Sequence, residues 1–282
     1  MYERTYNNRV LKQDESVKKK KNRVSKKQLI FFVVVLGLLS GVFFMLRSPK
    51  LQITSVSTVG TEVIDAADIE SRVKGQLEGK WLWFFPRTST FLISQSSLEK
   101  NLKKDFSRIE TVSIKRIDLH TLGVNIKEYS ARYLWCTGEV GDDCYLMDNN
   151  GVVYNSAPVF SGTAYVKIIT GAPVETIPFL AMTTEEITRV ADFVKGLSDI
   201  NITATVFKVV YPRKIEIDFL HNKDTAQLIV DPTIPTITSL EYLFSALRAD
   251  PLAGLFRDLE KKLLYIDVRF SNKVVYKFAD NE

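Results

Sequence analysis

LIFFVVVLGLLSGVFFML, Leu29 to Leu46, runs without a single charged residue. At 1.5 Å per residue this stretch makes roughly 27 Å of helix, close to the ~30 Å hydrocarbon core of a bilayer. The pattern predicts one membrane crossing near the start of the chain, with most of the mass on one side. Residues 1–28 hold ten Lys and Arg against three acidic residues, a net +7; the whole chain is +5, so residues 29–282 carry −2. Short basic flanks stay in the cytoplasm. Residues 1–28 are therefore expected to be a disordered basic cytoplasmic tail, and residues 47–282 to lie outside. The pI near 9.0 belongs to that tail. It is read as a topology signal rather than as a lipid- or nucleic-acid-binding site. The long charged lead, the length of the apolar run and the absence of a small-x-small site in Leu46-Arg47-Ser48-Pro49 favour a retained anchor over a cleaved signal peptide.

About 230 residues remain beyond the anchor, and 45% hydrophobic content with 17 Phe supplies real cores. The two cysteines, Cys136 and Cys144, flank a Gly- and Asp-bearing segment in WCTGEVGDDCY. Two strands joined by a loop would bring them together, and an extracytoplasmic setting permits a disulfide. Two reduced thiols or half of a metal site are the alternatives; His120 and His221 stand at no recognisable ligand spacing.

Beyond the short tether at residues 47–50, Leu51 to Val59 alternates as a strand and stops at Gly60. Asp65 or Asp68 caps a helix carrying Ile69, Val73 and Leu77, which Gly79 ends. The aromatic run Trp81, Trp83, Phe84 and Phe85 can rest on lipid headgroups or, as a more ordinary arrangement, pack between helices. Ser96 or Ser97 starts a second helix with Leu98, Leu102 and Phe106. Strands follow at 109–117 and 122–126, with Val112, Ile114, Ile117, Leu122, Val124 and Ile126 expected to point inward. Residues 51–128 thus read β-α-α-β-β, two helices on one face of a three-stranded sheet.

In the remainder, Ala131–Cys136 and Tyr145–Asp148 read as strands. Asn149-Asn150-Gly151 turns into Val152-Val153-Tyr154. Thr183 or Thr184 caps a helix whose apolar positions are Ile187, Val190, Val194 and Leu197. Strands at 203–211, 214–219 and 225–230 precede a helix over about 238–261, kinked or restarted at Asp250-Pro251. Two last strands, Leu264–Phe270 and Lys273–Phe278, close the chain.

The first of these units resembles a POTRA domain. The resemblance rests on Ile53-Thr54-Ser55-Val56 leading to Gly60, on Ile109-Glu110-Thr111-Val112 leading to Lys115-Arg116, and on Thr121-Leu122, Val124, Ile126 and Glu128. Together with Asp148 to Tyr154 and the closing Tyr265-Ile266-Asp267-Val268-Arg269-Phe270, the order and spacing are similar to the FtsQ/DivIB family of bacterial cell-division proteins. Val230-Asp231-Pro232, where the family often has Leu-Gly, departs from the pattern. The resemblance implies an α+β chain with a single transmembrane helix at 29–46, a POTRA domain at 51–128 and an FtsQ-type β domain at 129–280 built on an extended antiparallel sheet. It further implies a single-pass type II protein of the cell membrane, concentrated at the septum. Such a protein recruits FtsB/DivIC- and FtsL-like divisome partners and so regulates septal peptidoglycan synthesis.

No reactive constellation emerges from the residues. His120 and His221 sit in expected turns without a G-x-S-x-G nucleophile motif, Asp142, Asp143 and Asp148 lack the spacing of a calcium loop, and no Gly-rich phosphate loop is present. The expectation is a non-enzyme with no cofactor, no metal, no nucleic acid and no small-molecule substrate, whose partners are the bilayer and other proteins. An edge strand offers unpaired N–H and C=O groups to which a partner segment can add. The last strand is a natural edge, and the family docks its FtsB/DivIC-type partner there. The resemblance therefore makes Val274, Val275, Tyr276, Lys277 and Phe278 the candidate partner-binding residues. The alternatives are a membrane-anchored extracytoplasmic enzyme acting on cell wall or polysaccharide, or a POTRA-type transport and assembly module.

Overall fold

The computed structural model describes residues 26–81, 85–138, 143–160, 163–210 and 214–279. The basic tail before Lys26, Trp83 and Phe84 of the aromatic run, and Asp142 lie outside the described residues. The apolar run forms α1 (Lys26–Arg47), no residue of which is buried against the rest of the chain. It is long and apolar enough to cross a membrane.

A 3-10 turn over Pro49–Leu51 follows, where a strand from Leu51 was expected. The fixed φ of Pro49 suits the start of a turn, and Gln52 makes only an isolated bridge to Ser89. Strand β1 is confined to Ser55–Val59. Helix α2 (Ala66–Leu77) is capped by Asp65, whose carboxylate accepts the Ala67 N–H at 2.9 Å, and it buries Ile69, Val73 and Leu77. A two-residue ladder, β2 (Lys80–Trp81) with β3 (Phe85–Pro86), occupies the aromatic run and adds a hairpin to the expected order. Helix α3 (Gln95–Asp105) starts before Ser96, with Ser94 at its N-cap position, and buries Leu98 and Leu102. Strands β4 (Ile109–Arg116) and β5 (Thr121–Glu128) complete a sheet of order β1-β5-β4, parallel between β1 and β5 and antiparallel between β5 and β4.

The core of this unit joins Ile53, Val56, Ile69, Val73, Leu98, Leu102, Ile114, Leu122, Val124 and Ile126. Ile117 is not in it: 63% of its surface is exposed. Side chains alternate with a period of two, so Val112 and Ile114 share a face that Ile117 cannot. Its side chain instead lies over Gly123. Gly60 is a fixed point of the fold. Its φ is +84° and a Cβ there would stand 2.1 Å from the Ile126 carbonyl oxygen. Gly60→Ala is expected to cost about 3 kcal/mol of stability, read as a lowered urea midpoint.

The remaining strands are β6 (Tyr133–Thr137), β7 (Asp143–Met147), β8 (Val152–Ser156), β9 (Val166–Ile169), β10 (Phe179–Leu180), β11 (Thr203–Val210), β12 (Lys214–His221), β13 (Asp224–Val230), β14 (Leu263–Asp267) and β15 (Val275–Phe278). They form one ten-stranded sheet in the order β10-β8-β7-β6-β9-β11-β12-β13-β14-β15. The sheet is mixed rather than antiparallel, because β6–β9, β9–β11 and β13–β14 pair in parallel. Parallel neighbours need long crossovers. Between β9 and β11 the connection carries α4 (Thr184–Ser198), and between β13 and β14 it carries α5 (Thr236–Arg248) and α6 (Leu252–Arg257).

A capping box starts α4: Thr183 Oγ1 accepts the Glu186 N–H and Glu186 accepts the Thr183 N–H. Its buried residues are Ile187, Val190, Phe193 and Leu197, so Phe193 takes the central place expected of Val194. The expected helix over 238–261 is two helices separated at Asp250-Pro251, since proline has no N–H to continue the ladder. Both α4 and α5 cover one face of the sheet, over Phe207, Ile217, Leu228 and Ile266.

Candidate partner-binding site

Sheet edges are where this fold can pair with another chain, and they are not equivalent. β4, an edge of the small sheet, is eight residues long, but the Ile114 N–H is already taken by Glu99 Oε1 of α3 at 2.7 Å. A side-chain acceptor placed on a strand border in this way blocks the register of an incoming strand. β10, at one end of the large sheet, has only two residues. β15, at the other end, pairs with β14 and with no other described strand.

The backbone of β15 can be read from its register. Leu263 stands opposite Phe278, Tyr265 opposite Lys277, Ile266 opposite Tyr276 and Asp267 opposite Val275. Ala279 donates its N–H to the Lys262 carbonyl at 2.8 Å. Alternation from Ala279 directs the main-chain groups of Lys277 and Val275 toward β14 and those of Tyr276 and Phe278 away from it. Two N–H and two C=O groups thus face outward. The side chains alternate as well. Tyr276 and Phe278 pack against the core, with their rings 6.1 Å apart, while Lys277 is exposed on the opposite face. Of the five residues expected to bind, Val275 to Phe278 form the strand, and Val274 precedes it.

The face away from the helices is polar and ordered. Asp218, Gln227, Tyr265 and Lys277 lie in register across four strands. Asp218 holds Lys208 at 2.8 Å, and Gln227 donates to Glu216 at 3.0 Å and to Asp218 at 3.3 Å. The connection between β14 and β15 is fastened by Asp267. Its buried carboxylate accepts from Arg269 at Nε (2.9 Å) and at the terminal nitrogen (2.7 Å), a fork that raises the guanidinium pKa further. Arg269 and Lys273 both lie over the Phe270 ring, at 5.7 and 5.1 Å. The edge strand is therefore presented from a fixed hairpin.

The junction between the two sheets is a second built feature, one that the sequence reading missed. Glu128, at the end of β5, has a side chain only 2% exposed and holds Arg108 at 2.9 Å. Its other oxygen accepts three consecutive N–H groups, from Glu62 (2.7 Å), Val63 (3.0 Å) and Ile64 (3.0 Å). Burial works against ionisation, but these bonds and Arg108 outweigh it and hold the carboxyl below its usual range. Arg108 also lies over the Tyr154 ring of β8, 5.6 Å from its centroid, and Tyr154 stacks on Tyr129 at 5.0 Å. Burial pushes the Tyr154 phenol up, so it stays neutral there.

Cys136 and Cys144 face each other across β6 and β7, with Cα atoms 4.1 Å apart, and are joined by a disulfide. The two histidines are apart in the fold. His120 sits in the β4–β5 turn, and His221 ends β12 with a ring nitrogen 2.9 Å from the Phe256 carbonyl oxygen. Among the described residues no three His, Cys, Asp or Glu side chains converge as metal ligands. A cleft of about 570 Å³ between α2 and α3 is lined by Gln76, Arg87, Ser94, Ser97 and Asn101, without a carboxylate or imidazole. No protein-family model matches the chain, and no curated protein matches it.

Proposed function

We propose that the protein is a single-pass membrane scaffold that binds other extracytoplasmic proteins by strand addition at β15. The observation that carries this reading is the open border of β15, with the outward main-chain groups of Tyr276 and Phe278, in a chain that carries one membrane-length apolar helix ahead of both sheets. Strand addition uses such groups for affinity and the alternating side chains for selection. The basic flank before α1 favours the tail inside and both sheets outside. The Cys136–Cys144 disulfide agrees with that side of the membrane.

The β-α-α-β-β order of residues 55–128, with β2–β3 inserted, supports reading this unit as a POTRA domain. Together with the motifs quoted above, it supports membership of the FtsQ/DivIB family. On that reading the chain recruits FtsB/DivIC- and FtsL-like partners and regulates septal peptidoglycan synthesis without catalysis of its own. A fluorescent fusion to the amino terminus tests it. The label is expected to gather at the septum as cells divide, and diffuse membrane labelling throughout the cycle would overturn the divisome assignment.

A further inference from the structure

We propose that the end of the first unit from which α1 emerges is a lipid-contact surface, on which Phe85, Phe91, Ile117 and Leu119, rimmed by Arg47 and Arg87, rest on the headgroups of an anionic bilayer. This rests on α1 being a membrane span.

The depth of the surface follows from α1. The Phe85 ring packs on the Phe43 ring, with centroids 5.6 Å apart. Phe43 stands one turn before Arg47, which closes the helix, so Phe85 lies about 6 Å inside the end of the span. That level is the bilayer interface, where aromatic rings are favoured. The unit is not on a slack linker. Ser48 N–H bonds to Met45 O (3.1 Å), Leu51 N–H to Ser48 O (3.0 Å), and Gln52 Nε2 reaches the Arg47 carbonyl at 3.4 Å.

Two further segments are tied to the same place. Thr90 donates its N–H to Leu51 O at 2.9 Å and its hydroxyl to Leu119 O at 2.7 Å, and His120 Nδ1 lies 3.1 Å from Gln52 O. The loop holding Phe91 and the turn holding Ile117 and Leu119 are thereby fixed beside the helix end. All three side chains are open: Phe91 is 50% exposed, Ile117 63% and Leu119 47%.

Charge selects the occupant. Arg47, Lys50, Arg87 and Arg116 belong to the same segments and are exposed, and Arg116 lies 5.7 Å from the centre of the Phe91 ring. Asp118, the acid in the turn, accepts the N–H groups of His120 (2.7 Å) and Thr121 (2.8 Å), which keep it ionised, so the four cations outnumber one negative charge. An apolar patch with a cationic rim at the exit of a span matches anionic headgroups, each nearby cation contributing about 1 kcal/mol.

The test uses the full chain in vesicles of phosphatidylcholine with or without phosphatidylglycerol, with Trp81 and Trp83 both replaced by Phe. F91W is the reporter and L38W the control, and Trp135 remains as a buried constant. In phosphatidylglycerol vesicles F91W is expected to lose roughly half its emission to lipids brominated near the headgroup end of the acyl chain, as an interfacial indole does. Adding Lys50→Glu and Arg87→Glu should return it to the value in neutral vesicles. I117W should repeat the result if F91W disturbs its loop. Quenching of L38W by lipids brominated near the terminal methyl, with F91W and I117W unquenched, would overturn the surface and leave the anchor standing. An unquenched L38W would overturn both.

Discussion

Glu128→Ala is expected to be the most damaging single substitution in the chain, at about 3–5 kcal/mol, the usual cost of removing one partner from a buried ion pair. It leaves the Arg108 guanidinium without its carboxylate and three consecutive N–H groups, of Glu62, Val63 and Ile64, without an acceptor. Chemical denaturation should show the loss as a lowered midpoint, with hydrogen exchange at Glu62 to Ile64 accelerated first. A midpoint unchanged from the parent would refute the latch. The same group sets a pH dependence. Because the folded carboxyl titrates below its unfolded value, its contribution is complete above about pH 4.3 and is lost as pH falls through the lower folded value. Glu128→Ala should flatten the stability profile in that acid range and leave it unchanged at neutral pH and above, apart from the constant loss.

If β15 binds a partner by strand addition, Tyr276→Pro is expected to weaken that binding sharply while the sheet stays folded. The Tyr276 N–H faces away from β14, so proline removes a donor that the protein does not use itself, and outer positions of edge strands accept proline. Tyr276→Ala is the companion: it loses the ring from the core but keeps the donor. An unsatisfied partner carbonyl costs about 1–3 kcal/mol, so the proline variant should bind about 5- to 150-fold more weakly than the alanine variant in co-purification titrations. Equal affinities for the two variants would mean that β15 does not bind by main-chain pairing.

The helices and the order of elements in the first unit were legible because their signals are local. Ile69, Val73 and Leu77 recur at helical spacing and are buried, and Asp65 is one residue from the helix it caps. Ile117 shows how such a reading fails: hydrophobicity alone placed it inside, whereas the period of two puts it outside. β9 was overlooked because it has only four residues, Val166–Ile169, and its place in the sheet depends on β6 and β11, distant in sequence. Missing it hid two of the three parallel pairings. For the candidate site, β15 was legible as a strand from its alternation, but the blocking of β4 by Glu99 was not. Glu128 stood in the quoted motif, but its role as a latch was not legible, since the N–H groups it accepts are 64–66 residues away in the chain.

Strand order also fixes a reach. Eight strand intervals separate β8, whose Tyr154 meets Arg108 of the first unit, from the open border of β15. At about 4.8 Å per interval this is roughly 40 Å. A pairing segment fastened beside that junction would need an arm of that span to reach β15, about 27 residues if the arm is helical. Shortening or lengthening that arm by whole turns would then set which register of the two chains can engage.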